Sequence, residues 1–257
     1  MTIGINKMKF FTDPQGIKCD FPLIKIQNYL RDPPKNKEEI LIDPGVYELT
    51  PKIQERLGLD GKYSWEEKIN IRDFLDGLPS HCYFSADYPC DMNLDYTELF
   101  LKKSWDNAVK YCDHPQYLVV CQSVLANYDS FKEWFDKYNA LEIKSGILGL
   151  GNICRIFFLT DYIKNSLNYA FSHCNHKRIH IYGLALRIIP YAYNLANEYG
   201  IELSIDSTKW TRAVNEQLKQ FYGVSCRKER RQYFYEMYKE TLINRGIQLK
   251  NKIKWMV

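Results

Sequence analysis

Hydrophobic residues recur along this chain in short runs, and most runs end at an acidic residue, a glutamine or a glycine. Runs of this length, bounded by turn-forming residues, are typical of buried β-strands. The pattern predicts eight strands, at 8–12, 22–26, 39–42, 82–86, 117–121, 142–150, 179–182 and 202–205. Apolar residues at helical spacing lie between the later strands and predict helices at 64–77, 96–111, 130–138, 153–170 and 186–199.

The stretch 178–208 shows the arrangement most clearly. A strand precedes a helix that should stop at Gly200, and a second short strand over 201–205 follows. Two strands joined by a helix form a βαβ unit, which implies parallel pairing. Eight strands alternating with helices predict an α/β fold, a single (β/α)₈ TIM barrel over residues 1–257. Residues 211–257 are expected to form a basic, helical C-terminal segment of that domain.

Composition narrows the class of protein. No run of 18 apolar residues occurs, and the first residues lack the apolar core of a signal peptide. Eight cysteines are scattered without a CxxC pair, as expected for reduced thiols. We therefore expect a cytoplasmic protein without a membrane partner, and the sequence contains no motif that calls for a cofactor.

Charge is distributed unevenly along the chain. The net charge is +4, but residues 207–257 hold twelve Lys and Arg against four Glu, giving +8. The remainder of the chain is therefore acidic. A basic segment of this kind points to a polyanionic partner. Its candidate nucleic-acid contacts are Arg227, Lys228, Arg230 and Arg231. An amphipathic barrel helix with a solvated charged face explains the same pattern equally well.

Polar and glycine residues follow the predicted strands. They are Asp43, Asp87, Gln122, Gly149 with Leu150, Gly183, and Asp206. Because the carboxyl ends of parallel strands meet at one face of a barrel, these residues should converge there. Three carboxylates and a carboxamide can supply an acid/base, a nucleophile and contacts to a heterocycle. A single Asp directly after a strand is equally often a functional residue or only the N-terminal cap of the following helix.

Six segments in order resemble the tRNA-guanine transglycosylase superfamily. They are LIDPGVY (41–47), YFSADYP (83–89), VVCQS (119–123), GILGLG (146–151), HIYGLA (180–185) and LSIDST (203–208). The resemblance implies a (β/α)₈ barrel that exchanges guanine for a 7-deazaguanine in nucleic acid. It also implies that Asp206 attacks the anomeric carbon and that Asp43 is the general acid/base. Asp87, Gln122 and the backbone of Gly149 and Leu150 would read the purine, with Gly183 in the same site.

Departures from the family pattern define the branch. Asp43 is followed by Pro44 where the family has serine, and Gln122 lacks the glycines that follow it in the family. The zinc site of the tRNA enzymes is missing, because only Cys226 and no histidine follow Asp206. These features resemble the DpdA-like DNA deazaguanine transglycosylases of phages and bacterial islands. They imply DNA rather than tRNA as substrate, a base such as 7-cyano-7-deazaguanine, and protein partners from a DNA-modification system.

Other interpretations remain open at the sequence level. A non-catalytic or partner-dependent nucleic-acid-binding barrel fits the Pro44 and Gln122 departures. A tRNA-directed transglycosylase is a further alternative, and a hydrolytic glycosidase also fits the carboxylates. His180 is interpreted as a packing or hydrogen-bonding residue rather than a catalyst. The HxCxH sequence of His173, Cys174 and His176 is interpreted as a polar loop rather than a metal site, since it lacks a fourth ligand.

Overall fold

The computed structural model describes residues 7–12, 14, 19–34, 38–45, 69–88, 94–153, 159–206 and 228–250. In the helix that begins at 94, side chains are described from residue 97 onward. In the helix that begins at 228, they are described from residue 231 onward. No helix in the described ranges is both long enough and apolar enough to span a bilayer.

All eight predicted strands are present. They are β1 (Lys9–Thr12), β2 (Phe21–Lys25), β3 (Ile40–Asp43), β4 (Cys82–Phe84), β5 (Val119–Cys121), β6 (Ile147–Leu150), β7 (Arg178–Ile181) and β8 (Glu202–Asp206). The largest difference concerns β6, which was predicted to begin at 142. Gly146 has a positive φ of 68° in a turn, so the extended conformation starts only at Ile147.

The described ranges contain seven helices. They are α1 (Ile26–Arg31), α2 (Ile71–Asp76), α3 (Leu94–Tyr111), α4 (Tyr128–Asn139), α5 (Thr160–His173), α6 (Ile189–Tyr199) and α7 (Lys228–Asn244). The sequence pattern did not predict α1. The predicted helix over 64–77 is described only as α2, because 61–68 lie outside the described residues. Helix α6 ends as predicted at Gly200, whose φ of 69° is the left-handed conformation favoured at a helix terminus.

The strands form one curled parallel sheet in the order β4-β3-β2-β1-β8-β7-β6-β5. The first and last strands of the chain, β1 and β8, are therefore neighbours at its centre. The two edges, β4 and β5, approach each other through a single parallel bridge between Phe84 and Tyr117. Two backbone hydrogen bonds of 2.9 Å support it, from the Phe84 N–H to the Gln116 carbonyl and from the Leu118 N–H to the Phe84 carbonyl. Within the described residues the ladder extends no further, so the sheet is barrel-like without being closed by continuous pairing.

Alternate residues of each strand face opposite sides of the sheet. One large apolar cluster includes the helices and therefore marks the outer face. A second cluster is built from strands and their ends and marks the inner face, with members Phe11, Phe21, Leu23, Leu41, Leu118, Val120 and Ile147. In β7 and β8, Ile179, Ile181, Leu203 and Ile205 belong to the outer cluster. The residues between them, His180 and Ser204, consequently face inward.

An ion cluster lies at the amino end of the strands. Glu39, directly before β3, accepts two hydrogen bonds from the Arg178 guanidinium, of 2.9 and 2.5 Å. The same carboxylate is 2.5 Å from the Lys9 ammonium. All three side chains are at most 14% exposed. Burial alone would raise the pKa of Glu39, but the hydrogen bonds and positive charges of Arg178 and Lys9 outweigh it, so its pKa is lowered.

The basic C-terminal helix α7 packs against the outside of the sheet. Tyr235 and Tyr238 stack on Phe10 of β1, with ring centroids 6.0 and 5.3 Å apart. Lys239 is 1% exposed, and its ammonium lies 3.2 Å from Glu236 and 3.7 Å from Asp20. This face of the helix is therefore structural, in agreement with the amphipathic interpretation of the segment.

Candidate active site

Four of the predicted site residues lie at the carboxyl ends of the strands. Asp43 and Asp206 are the last residues of β3 and β8, Gln122 directly follows β5, and Asp87 lies three residues beyond β4. Gln122 is 1% and Asp206 is 7% exposed, whereas Asp43 and Asp87 are partly exposed. Because every strand pair is parallel, these groups share one end of the sheet, as the sequence predicted.

Asp43 is held by the turn that follows its strand. Its Oδ1 accepts a 2.6 Å hydrogen bond from the Gly45 N–H, and Gly45 adopts a φ of 70° that favours glycine. Burial, together with the negative charges of Asp87 and Asp206, raises the pKa of Asp43 to about 6. The Gly45 hydrogen bond and the positive charge of Lys25 oppose that rise. The carboxyl group is therefore suited to exchange a proton near neutral pH.

Asp87 and Gln122 form a pair. The Gln122 Nε2 donates a 2.7 Å hydrogen bond to the Asp87 Oδ2. Burial raises the pKa of Asp87, against the hydrogen bonds from Ser85 and Gln122. The Oε1 of Gln122 is buried and has no hydrogen-bond partner among the described residues. An unpaired buried acceptor costs roughly 1–3 kcal/mol, so this oxygen is suited to receive an N–H group from a ligand.

Asp206 is held through one of its two oxygens. Its Oδ1 accepts a 2.8 Å hydrogen bond from the Gly183 N–H. The Nε2 of His180 lies 3.7 Å from the same oxygen. Within the described part of the chain, no donor contacts Oδ2. One carboxylate oxygen is thus fixed, while the other remains available for chemistry.

Tyr182 lies near the three carboxylates and was not predicted as a site residue. Its hydroxyl lies 3.5 Å from the Ser85 Oγ, and its ring packs edge-on against His180 with centroids 4.5 Å apart. Burial raises the pKa of Tyr182 well above its ordinary value, and the negative charges of Asp87, Asp43 and Asp206 add to the rise. Asp43, Asp87 and Asp206 are therefore all close enough to act on this one ring. Its position two residues after the inward-facing His180 is the sequence signal that identifies it.

Gly149, Leu150 and Gly183, the other residues predicted to contact the base, are packed against or hydrogen-bonded to other parts of the protein. Gly149 lies in the inner face, where a Cβ would come within 3.0 Å of the Leu118 and Val120 side chains. The Leu150 side chain is buried in the outer cluster, and its carbonyl accepts a 3.2 Å hydrogen bond from the Tyr182 N–H. The Gly183 N–H is engaged by Asp206. Base contacts by Gly149, Leu150 and Gly183 stay predictions.

The predicted nucleic-acid contacts are described only in part. Arg227 lies outside the described residues, and Lys228 and Arg230 are described by their backbone in α7 alone. The Arg231 side chain is partly exposed on that helix. The proposed phosphate contacts therefore stay predictions.

The residues of the HxCxH sequence contact residues close to them in the chain. The His173 ring stacks on Tyr169 at 4.2 Å, and the Cys174 thiol contacts the backbone of His176. Across the described ranges, no group of three His, Cys, Asp or Glu side chains is arranged to hold a metal ion.

Comparisons with known proteins give no family assignment. No protein-family model matches the chain, and no curated protein matches it significantly.

Proposed function

We propose that this protein is a transglycosylase that replaces guanine with a 7-deazaguanine in nucleic acid, in DNA rather than tRNA. The observation that supports it most is the placement of Asp43, Asp87 and Asp206 at one end of the parallel sheet, where Gln122 donates a hydrogen bond to Asp87. The proposal includes a complete (β/α)₈ barrel, in which the bridge between Phe84 and Tyr117 marks the closing seam.

Asp206 has the features expected of the nucleophile. A carboxylate that attacks the anomeric carbon divides a difficult glycosyl substitution into two easier displacements. The Gly183 N–H orients Oδ1, and Oδ2 carries the attack. The resulting ester is released when the incoming base attacks the same carbon, so two inversions restore the original configuration.

Asp43 has the features expected of the proton shuttle. The departing guanine needs a proton, and the incoming base must lose one. A carboxyl group with a pKa of about 6 can perform both transfers near neutral pH.

Asp87 and Gln122 match a guanine-like edge. Such an edge presents N–H donors, and the Asp87 carboxylate and the unpaired Gln122 Oε1 are both acceptors. A base in a duplex must leave the stack to reach this position. The basic charge of residues 207–257 supplies the attraction for a polyanion.

Gly151→Ala tests the base-reading pair. A Cβ at position 151 would lie 2.2 Å from the Gln122 Nε2, so the amide must move and the hydrogen bond to Asp87 is lost. We expect affinity for 7-cyano-7-deazaguanine to fall by roughly tenfold or more, since a hydrogen bond to a charged group contributes about 1.5–3 kcal/mol. Calorimetric titration measures the affinity.

Gly77→Ala is the matched control for that experiment. A Cβ at Gly77 makes only ordinary contacts of 3.5 and 3.6 Å at the end of α2. The affinity of Gly77→Ala for 7-cyano-7-deazaguanine should equal that of the wild type. Equal affinities in all three proteins would contradict the assignment of Gln122.

Nucleoside mass spectrometry tests the activity itself. DNA and tRNA are each incubated with the protein and 7-cyano-7-deazaguanine, digested and analysed. We expect the deazaguanine nucleoside in DNA and not in tRNA. Label in tRNA alone would move the protein to the tRNA branch. Label in neither, with or without lysate from the source cells, would overturn the proposal in favour of a barrel without turnover.

A further inference from the structure

His180 is a buried polar residue that the proposed reaction does not use. It is 0% exposed and faces the inside of the sheet, between Phe11 and Tyr182. Its Nδ1 lies 3.0 Å from the Ser204 Oγ. Its Nε2 has no hydrogen-bond partner among the described residues and lies 3.7 Å from the Asp206 Oδ1. A buried ring nitrogen directed at a reactive carboxylate calls for a functional explanation.

Ser204 determines which nitrogen of His180 carries the proton. The Ser204 hydroxyl can donate to the His180 Nδ1 at 3.0 Å or to the Ile179 carbonyl at 3.5 Å. In the first case the imidazole proton is on Nε2 and points at Asp206. In the second case it is on Nδ1, and the Nε2 lone pair faces the negative carboxylate. The 3.0 Å contact between Nδ1 and Oγ is present in both cases, and the negative charge of Asp206 beside Nε2 favours the first, with the proton on Nε2.

We propose that His180 is a positioning residue for Asp206, with its proton held on Nε2 by Ser204. Together with the Gly183 N–H, it directs the Asp206 Oδ1 away from the substrate and leaves Oδ2 for attack. At 3.7 Å the interaction is electrostatic, and a small rotation of the carboxylate converts it into a hydrogen bond. The inference rests on the proposed function only in naming Asp206 as the attacking group.

The surrounding charges are consistent with a neutral imidazole. Burial lowers the pKa of His180, and the Arg178 charge on the same strand acts in the same direction. Asp206 on β8 and Glu39 before β3 oppose them. The edge contacts of Phe11 and Tyr182, with centroids at 5.6 and 4.5 Å, restrict rotation of the ring. A neutral donor orients the carboxylate without neutralising the charge that makes it nucleophilic.

Nitrogen-15 NMR of the full chain tests the tautomer without reference to activity. We expect the His180 signals to show protonated Nε2 and unprotonated Nδ1 in the wild type. In Ser204→Ala the population should move toward protonated Nδ1. Ser166→Ala, which alters a fully buried serine of α5, is the matched control and should leave the His180 signals unchanged. Protonated Nδ1 in the wild type would overturn the proposal.

The rate at which the covalent DNA adduct forms, with a deazapurine present, tests whether His180 positions Asp206 for attack. His180→Phe should slow it by about tenfold or more, because the Asp206 carboxylate loses the Nε2 donor that orients its Oδ1. His180→Gln, whose amide can replace the Nε2 donor, should restore most of the rate. An unchanged rate in His180→Phe would overturn the proposal. If the wild type forms no adduct, the proposed function fails while the NMR result alone decides the role of His180.

Discussion

Replacement of Glu39 with glutamine should lower the free energy of unfolding by about 3–5 kcal/mol at neutral pH. The substitution keeps the size of the side chain and removes its charge. The Arg178 guanidinium and the Lys9 ammonium, both largely buried, would then face each other without a counter-ion. Urea denaturation followed by circular dichroism measures the loss.

Glu133→Gln provides the control for this effect. Glu133 pairs with Lys137 at 2.7 Å on α4, but its side chain is 64% exposed. Exposed pairs of this type contribute about 0.5 kcal/mol or less. Equal losses in the two variants would show that the cluster at the amino end of the strands has no special role in stability.

The pH dependence of this stability difference follows from the lowered pKa of Glu39. A carboxyl group whose pKa is lower in the folded state contributes its full stability above its unfolded pKa, which is about 4.3. That contribution is lost as the pH falls through the folded pKa. The stability difference between wild type and Glu39→Gln should therefore shrink in acid, below about pH 4.

The eight strands were predictable because each is a short apolar run that ends at a residue unsuited to the core. The ion cluster was not, because Glu39 and Arg178 are 139 positions apart and no local pattern links them. The inward-facing residues of the sheet were not all identified from sequence, for a related reason. Only alternate residues of short strands point inward, so Ser204 and Tyr182 were not distinguished from their outward-facing neighbours.

Helix starts were predictable only where the capping residue is of a standard type. The start of α4 was placed within two residues, and there the Asn127 side chain accepts a hydrogen bond from the Ser130 N–H. Helices α5 and α6 begin after Leu159 and Ile188, which make no side-chain cap. Apolar periodicity continues across those boundaries, so the pattern carried the first helix through Leu159 and started the second at 186 rather than at Ile189.

The positions of Gln122 and Asp206 at the carboxyl ends of strands were predictable from sequence because each follows an apolar run. Their partners were only partly foreseen. The fit between Gly151 and the Gln122 amide depends on two loops meeting in space, and the role of the Gly183 N–H depends on backbone direction. Neither property can be deduced from the order of residues alone.

Asp206→Asn should abolish the covalent adduct and reduce base exchange by about 10⁴-fold or more, the scale seen when a central catalytic group is removed. The amide retains an oxygen for the Gly183 N–H, so the fold should persist. What is lost is the negative charge that allows attack on the anomeric carbon. The measurements are adduct detection by mass spectrometry of the intact protein and the rate of label incorporation into DNA.

Asp87→Asn and Asp43→Asn separate this role from those of the neighbouring carboxylates. Asp87→Asn exchanges an acceptor for a donor at the base edge and should chiefly weaken binding of the base. Asp43→Asn removes the group with a pKa of about 6, so the residual rate should lose the pH dependence centred there. In the proposed mechanism only Asp206 provides the atom that bonds to the sugar. Adduct formation at the wild-type rate in Asp206→Asn would therefore exclude Asp206 as the nucleophile, whatever the other two variants show.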